Sequence, residues 1–227
     1  NVMGTLQFME AVREVQERYD TIQRVVVQSS ESVYGNAFPG LIPEETTLNP
    51  VNIYGASKAA QELVARSYYH AHKLPVTIIR SSTLYGPDMR QNQVVTIFLR
   101  QAFRNQPITV HGDGMQSRDF NFVSNAVEGI LLALTTAAAT GDVFNIAGDN
   151  EVSVKNLADL CVQVTGSSSP VTHTAQRPGE QDLHLTPDIS HARKVLGYVP
   201  RVSFEDGLRL TAEHFENVFR PLGSVHR

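Results

Sequence analysis

The chain has 227 residues, of which 41% are hydrophobic and 19% charged, so it can bury a core and is not a disordered chain. It has no apolar run long enough for a transmembrane helix, and its formal net charge of −4 argues against a nucleic-acid partner. Its single cysteine, Cys161, excludes a disulfide within the chain. A reducing, cytoplasmic compartment is expected, with neither a membrane nor nucleic acid as partner.

The first part of the chain alternates between helical and strand patterns. Apolar spacing predicts a helix over residues 2–15, a buried strand over 24–30, a loop over 35–50, a helix over 53–72 and a strand over 75–82. This order is typical of a parallel sheet covered by helices. Because such sheets bind ligands at the carboxyl ends of their strands, the site is expected near Ser30 and Ser82.

Beyond Pro87 the pattern is less regular. Helices are predicted over residues 93–105, 123–137, 153–165, 189–196 and 204–219. A short strand and turn are predicted in ITVHGDG, and a buried strand in VFNIAG. The chain begins with Asn1 and its first segment already has the spacing of a helix interior, so we expect it to be a piece of a longer protein.

The strongest local motif is Tyr54-Gly-Ala-Ser-Lys58 at the start of a predicted helix. Residues four apart share one face of a helix, and an ammonium beside a phenol favours the phenolate. A tyrosine in that setting can exchange a proton with a substrate hydroxyl, and Ser30 could hydrogen-bond the same oxygen. Taken alone, the motif also fits a surface tyrosine and lysine, and Ser30 also fits a residue that starts a turn.

In their order along the chain, these motifs resemble the extended short-chain dehydrogenase/reductase family, specifically the NAD-dependent nucleotide-sugar epimerases and dehydratases. The matching pieces are NVMGT, VVVQSSESVYG, Asn49-Pro50 through YGASK, IIRSSTLYGP, PITVHGDGMQSRDFNFV, VFNIAG, RPGE and DISHARKVLGYVP. The resemblance implies an α/β fold, namely the C-terminal part of a Rossmann-like doubly wound parallel sheet with a small mixed α/β substrate-binding subdomain. Residues 1–86 would be the remainder of the NAD-binding domain. Residues 87–227 would mainly form the subdomain, with 119–148 returning to the sheet.

The resemblance also implies catalytic and cofactor-binding roles. Tyr54 matches the catalytic acid/base, Lys58 the lysine that binds the nicotinamide ribose, and Ser30 the hydroxyl that completes the triad. Ser82 stands where the family approaches the nicotinamide, and Asn1 is expected near the cofactor or the phosphates of the sugar nucleotide. The expected cofactor is NAD, and no metal site is predicted.

Further positions match the substrate-binding residues of the family. Arg118 and Arg177 stand where arginines grip the substrate diphosphate, for which a forked donor is suited. Glu180 stands where an acidic residue touches the nucleoside ribose, and His111 where an aromatic ring lies near the base. Thr83 replaces the usual asparagine and resembles the branch that acts on uronic-acid sugars, where it would hold a phosphate or a substrate carboxylate.

Two departures from the family pattern bear on function. The Gly-x-x-Gly-x-x-Gly turn that cradles the cofactor pyrophosphate does not occur in these residues, nor do the first βαβ units. Ser32 stands where dehydrating members carry glutamate, and Glu31 is expected to point elsewhere on an extended chain. These residues favour epimerisation or ketone reduction over dehydration.

The resemblance therefore implies NAD-dependent epimerisation of a nucleotide sugar, in particular a UDP-sugar at C4, by transient oxidation through Tyr54, Lys58 and Ser30. The alternatives are a nucleotide-sugar dehydratase or ketoreductase, and a non-catalytic fragment that binds nucleotide sugars without the pyrophosphate loop. A homodimer is also implied, in which the helices over 2–15 and 53–72 pack against their copies.

Overall fold

A computed structural model describes residues 1–36, 40–176 and 184–220. The helices of these residues are α1 (Val2–Tyr19), α2 (Ile53–His72), α3 (Val94–Phe103), α4 (Val123–Thr135), α5 (Val154–Thr165), α6 (Ser190–Leu196) and α7 (Phe204–Phe219). The strands are β1 (Val25–Ser30), β2 (Val76–Ser81), β3 (Thr83–Tyr85), β4 (Ile108–His111), β5 (Ser117–Arg118), β6 (Phe120–Phe122), β7 (Val143–Ile146), β8 (Val152–Ser153), β9 (Val171–Thr174) and β10 (His184–Leu185).

A parallel sheet in the order β1–β2–β7 organises the first half of the fold. Strand β2 is buried along its whole length because it has a neighbour on each side, whereas burial alternates along β1. Ser30 pairs with Ser81 in the register of β1 and β2, so both strands end at the same edge of the sheet. The predicted Rossmann-like α/β fold is thereby confirmed.

Helices cover both faces of this sheet, as the doubly wound prediction requires. Val25 and Val27 of β1 pack with Met9 of α1 and Ala65 of α2 in one buried cluster. On the other face, Ile79 of β2 belongs to a cluster with residues of α4 and α6. The alternation follows from strand geometry, since successive side chains point to opposite faces.

A second core lies between α3, α5 and α7. Its buried members include Leu99, Leu157 and Leu208, all fully buried, with Phe98 and Phe215 beside them. The parallel pairs β3–β6 and β4–β9 and the small sheet β10–β5–β8 lie alongside this core. Strand β3 begins two residues after β2 ends, so the chain passes directly from the edge of the first sheet to the second core.

Most long elements lie where the sequence predicts them. Helix α2 has the predicted bounds, and α1 extends past the predicted end to Tyr19, where Asp20 adopts a left-handed conformation that ends the helix. The short strands β3, β5, β6, β8, β9 and β10 were not predicted. The domain boundaries remain a prediction. Among the described residues, no helix combines the length and apolar character that crossing a bilayer requires.

Candidate active site

A cleft of about 590 Å³ opens at the carboxyl ends of β1 and β2. Its walls are the strand ends with the turns that follow them, the start of α2, the segment before α3, and β5: Gln28, Ser29, Ser30, Glu31, Ser32, Tyr54, Ser81, Ser82, Thr83, Leu84, Met89, Arg90, Gln93 and Arg118. The cleft therefore lies at the sheet edge where the alternation of strands and helices predicts a site. It brings together five of the predicted site residues: Ser30, Tyr54, Ser82, Thr83 and Arg118.

The first turn of α2 carries Tyr54 into this cleft with 52% of its surface still exposed. The Nζ atom of Lys58 lies 6.0 Å from the centre of the Tyr54 ring. The same ammonium donates hydrogen bonds to the carbonyl of Gln28 at 2.7 Å and to Oε1 of Gln61 at 3.0 Å. Burial lowers the pKa of Lys58. The motif thus places a cation close to the phenol ring, as its helical spacing predicts.

Gly55 allows the start of α2 to approach the turn after β1. A Cβ atom at this position would lie 2.3 Å from the carbonyl oxygen of Ser32, closer than real contacts permit. The side chain of Asn52 caps the helix by accepting a hydrogen bond from the Gly55 amide at 2.8 Å. The short residue and the cap together hold Tyr54 and Ser30 on the walls of one cleft.

Ser30 ends β1 and caps the 3₁₀ turn Glu31–Val33. Its Oγ accepts a hydrogen bond from the Ser32 amide at 3.2 Å and donates one to Ser32 Oγ at 3.3 Å. Ser30 therefore starts a turn and also lines the cleft, and its hydrogen bond to a substrate oxygen stays a prediction.

The expectation that Glu31 points away from the site is wrong. It assumed an extended chain after Ser30, whereas the 3₁₀ turn folds Glu31 back so that it lines the cleft with only 3% of its surface exposed. Thr83 Oγ1 donates a hydrogen bond to Glu31 Oε1 at 3.0 Å, and Oε2 is buried with no hydrogen-bond partner among the described residues. Burial raises the pKa of Glu31 to about 8, against the opposing effect of the Arg118 charge.

Arg118 lies on the cleft wall as an available cation rather than as the partner of its neighbour. Asp119 is fully buried and accepts hydrogen bonds from the backbone amides of Gly148 at 2.7 Å and Asn150 at 3.0 Å. Asp119 thereby ties the segment after β5 to the loop after β7. Both Asp119 carboxylate oxygens thus accept backbone hydrogen bonds, and no ion pair joins Asp119 to Arg118.

A buried ion pair behind the cleft was missed by the sequence analysis. Arg80 of β2 donates to both carboxylate oxygens of Glu62 on α2, with Nη2 to Oε2 at 2.7 Å, and both side chains are at most 2% exposed. Ser29 donates a further hydrogen bond to Glu62, and Arg80 also donates to the hydroxyl of Tyr34 at 3.0 Å. This network fixes the ends of β1 and β2 against α2, one helical turn beyond Lys58.

The remaining predicted site residues lie elsewhere. Asn1 donates a hydrogen bond from Nδ2 to Ser57 Oγ at 2.8 Å and does not line the cleft. His111 ends β4 and shares a hydrogen bond with Thr174 Oγ1 at 3.0 Å. Arg177 and Glu180 lie outside the described residues. The proposed ligand contacts of these four residues stay predictions. Within the described ranges, His, Cys, Asp and Glu side chains form no group of three that could hold a metal ion.

Comparison with known proteins identifies a family whose members this chain resembles in sequence. The model of the family described as GDP-mannose 4,6 dehydratase matches residues 1–211. A Bacillus subtilis (strain 168) protein named as an uncharacterized UDP-glucose epimerase is 31% identical over 220 residues, which cover 97% of this chain and 67% of the relative. A mouse dTDP-D-glucose 4,6-dehydratase is 32% identical, with 96% of this chain and 61% of the relative covered. The chain thus spans about two thirds or less of these relatives.

Solved structures resemble the fold over almost all of this chain. The UDP-glucuronic acid 4-epimerase from Bacillus cereus, in complex with UDP-glucuronic acid and NAD, has a TM-score of 0.87 and 29% identity, covering 96% of this chain and 68% of its own. A UDP-glucose 4-epimerase from Thermotoga maritima, solved with UDP-glucose, has a TM-score of 0.87 and 27% identity, covering 96% and 70%.

Proposed function

The chain belongs to the GDP-mannose 4,6-dehydratase family of nucleotide-sugar epimerases and dehydratases, and from this premise we propose that it performs the 4-epimerisation of a UDP-sugar with NAD. The single observation that carries the proposal is the shared cleft of Tyr54 and Ser30 at the carboxyl ends of the parallel strands. An acid/base and a second hydroxyl on the walls of one cleft can act on the same sugar oxygen.

The proton-transfer step belongs to the residues of this chain. Tyr54 would take the proton of the sugar C4 hydroxyl, and the Lys58 ammonium near its ring would stabilise the phenolate formed before that transfer. Ser30 Oγ would hydrogen-bond the same oxygen and fix its orientation. After the sugar has turned over, Tyr54 would return the proton to the hydroxyl of the opposite configuration.

The residues at the sheet edge fit the nicotinamide riboside part of NAD. Oε1 of Gln28 is buried beside the cleft without a hydrogen-bond partner among the described residues, and it is an acceptor suited to an amide or ribose hydroxyl. Lys58 supplies a cationic donor on the same side, and Ser82 lies at the end of β2. When bound, NAD would supply the hydride acceptor and donor for the sugar carbon.

The substrate diphosphate is assigned to Arg118. Its guanidinium lies on the cleft wall, and an arginine fork matches two phosphate oxygens. We assign the further nucleotide contacts to Arg177, Glu180 and His111 on the strength of the family pattern. A UDP-sugar bound in this way would place its hexose between Arg118 and Tyr54.

Glu31 supports a second candidate, a nucleotide-sugar 4,6-dehydratase. A carboxyl whose pKa is raised to about 8 by burial holds its proton at neutral pH, and it could donate that proton to a departing hydroxyl. The mouse dehydratase is 32% identical to this chain and the bacterial protein named as an epimerase 31%, so identity does not favour either activity. A protonated Glu31 thus favours dehydration, whereas Ser32, which stands where dehydrating members carry glutamate, argues against it.

The products of one incubation separate these activities. Protein, NAD and UDP-glucose are mixed and followed by NMR. Formation of the C4 epimer supports the proposal, and a 4-keto-6-deoxy sugar supports the dehydratase. Accumulation of a 4-keto sugar with one NADH formed from NAD for each molecule, which is the ketone reduction in reverse, supports a ketoreductase. Binding of UDP-glucose without conversion, with NAD present, supports the non-catalytic binding fragment and overturns the epimerase.

We also infer a homodimer formed through α1 and α2. Phe8 on α1 is 54% exposed, and Leu63 on α2 is 63% exposed, although both helices bury their other faces against β1 and β2. Light scattering after gel filtration tests the inference. A mass of one chain at micromolar concentration contradicts it.

A further inference from the structure

Two substrate classes occur among the structures that resemble this chain. One neighbour is solved with UDP-glucose, whose sugar is uncharged, and another with UDP-glucuronic acid, whose sugar carries a carboxylate. The part of the cleft that could distinguish them is the pair of Glu31 and Thr83, since both side chains line it.

We propose that Glu31 is a specificity-determining residue that accepts an uncharged hexose in either of its protonation states but a uronate only when the Glu31 carboxyl is protonated. The inference rests on the proposed function, because it assumes that the hexose occupies the cleft beside Tyr54. It holds for a 4-epimerase and for a 4,6-dehydratase alike.

The hydroxyl that the sequence analysis assigns to a substrate carboxylate is already engaged. Thr83 Oγ1 donates its proton to Glu31 Oε1 at 3.0 Å. A hydroxyl has one proton to donate, so Thr83 cannot serve a sugar carboxylate without leaving Glu31. The hydrogen bond from Thr83 to Glu31 therefore argues against the uronate binding that the resemblance of Thr83 implies.

The second oxygen of Glu31 needs a partner that the described residues do not supply. Oε2 is buried without a hydrogen bond, in a side chain that is 3% exposed on the cleft wall. A sugar hydroxyl can pair with this oxygen in either protonation state, because it both donates and accepts. A sugar carboxylate only accepts, so it can pair only with the protonated form and is repelled by the ionised form.

The charges closest to Glu31 act on the protonation of its carboxyl in opposite directions. Arg118 favours the carboxylate form and Asp119 opposes it, while burial keeps the pKa of Glu31 at about 8. Among the described residues, the cations on the cleft wall are Arg118 and Arg90, and Arg118 is committed to the diphosphate in the proposed function. Tyr54 faces the same cleft but acts on a hydroxyl that both sugars share.

The expected effect follows from the protonated fraction of Glu31. At pH 6 almost every molecule carries the proton, and at pH 9 about one in eleven does. A uronate that binds only the protonated form should lose affinity by about tenfold over this range. The glucuronate carboxylate itself stays ionised throughout, and groups that act on both ligands cancel in the ratio of their affinities.

Calorimetric titration with UDP-glucose and UDP-glucuronate at pH 6 and pH 9 tests the proposal. In the natural protein we expect the ratio of the affinity for UDP-glucose to that for UDP-glucuronate to grow about tenfold from pH 6 to pH 9. Glu31→Gln should make the preference independent of pH, whereas Glu14→Gln, at an exposed position of α1, should leave the natural profile unchanged. If Glu31→Gln fails to fold, the change of the affinity ratio with pH in the natural protein is enough to test the proposal.

The outcomes of these titrations distinguish a failure of the role of Glu31 from a failure of the proposed function. An affinity ratio that does not change with pH in the natural protein overturns the role of Glu31, as does a ratio that shifts towards UDP-glucuronate at pH 9. If both sugars bind no better than UDP, the hexose does not occupy the cleft and the proposed function fails together with this inference. If both bind but neither is converted, the proposed function alone fails.

Discussion

Replacing Glu62 by glutamine should cost more stability than any other single change of charge to amide in the described core. The substitution keeps the shape of the side chain but leaves the Arg80 guanidinium buried without a counter-charge, since both residues are at most 2% exposed. Breaking a buried pair by removing one partner costs about 3–5 kcal/mol. For a chain of this size, that corresponds to a decrease in Tm of roughly 6–20 °C.

Urea unfolding followed by circular dichroism measures this loss, and Asp159→Asn is the matched control. Asp159 pairs with Lys155 at 3.0 Å on the surface of α5, with both side chains about half exposed. Removing such a pair should cost about 0.5 kcal/mol or less. Combining Glu62→Leu with Arg80→Met should cost less than the sum of the single changes, by about 1–3 kcal/mol.

A loss in the free energy of unfolding of less than about 1 kcal/mol for Glu62→Gln, or one no larger than that of Asp159→Asn, would contradict a dependence of Arg80 on its buried counter-charge. Strictly additive single and double variants would show that the two buried charges do not depend on each other. Either result would mean that water reaches the pair in solution.

Three further outcomes are expected. Tyr54→Phe should lower the turnover of UDP-glucose, measured by NMR, by about 10²- to 10⁴-fold. The affinity of the variant for UDP-glucose should stay within about twofold of that of the natural protein. A turnover within about tenfold of the natural value would contradict the role of the phenol. Gly55→Ala should lower the free energy of unfolding by about 1–3 kcal/mol because its Cβ would meet a carbonyl oxygen at 2.3 Å, whereas Gly4→Ala, with nothing within 4 Å, should be neutral or stabilising by up to about 1 kcal/mol. Folded Glu31 keeps a proton from about pH 4 to about pH 8 that the unfolded chain has lost, so its contribution to stability falls as pH rises through this window. Glu31→Gln should therefore gain stability relative to the natural protein between pH 4 and pH 8 in urea titrations, and an unchanged difference would contradict the raised pKa.

The parts of the fold that follow from local pattern are those that the sequence predicts best. Helix α2 lies within its predicted bounds because apolar spacing continues to His72 and Asn52 provides a cap at its start. Strand β3 could not be predicted in the same way, because its three residues are fixed by pairing Thr83 with Phe120, far along the chain. Short strands of this kind take their structure from tertiary contacts that periodicity does not record.

The site was predictable where a motif fixes the spacing and not where a turn redirects the chain. Tyr54 lines the cleft and Lys58 lies close to its ring, because four residues make about one helical turn. Glu31 was misplaced because the extended conformation ends with Ser30 and the 3₁₀ turn begins at Glu31, where alternation assumes that the strand continues. Glu62 gave no signal of its own, since a glutamate in a helix becomes a buried partner only when β2 brings Arg80 against it.

Strand β1 has a hydrogen-bonded neighbour on one side alone within the described residues, because the sheet order is β1–β2–β7. Its sequence, VVVQSS, contains neither a charge nor a proline, the residues that usually prevent edges from pairing with other chains. Backbone amides on the open side should exchange with deuterium far faster than those bonded to β2. Concentrated solutions of this 227-residue chain should accordingly tend towards self-association through strand pairing, and a lysine introduced at Val26, on the half-buried face of this edge strand, should suppress it.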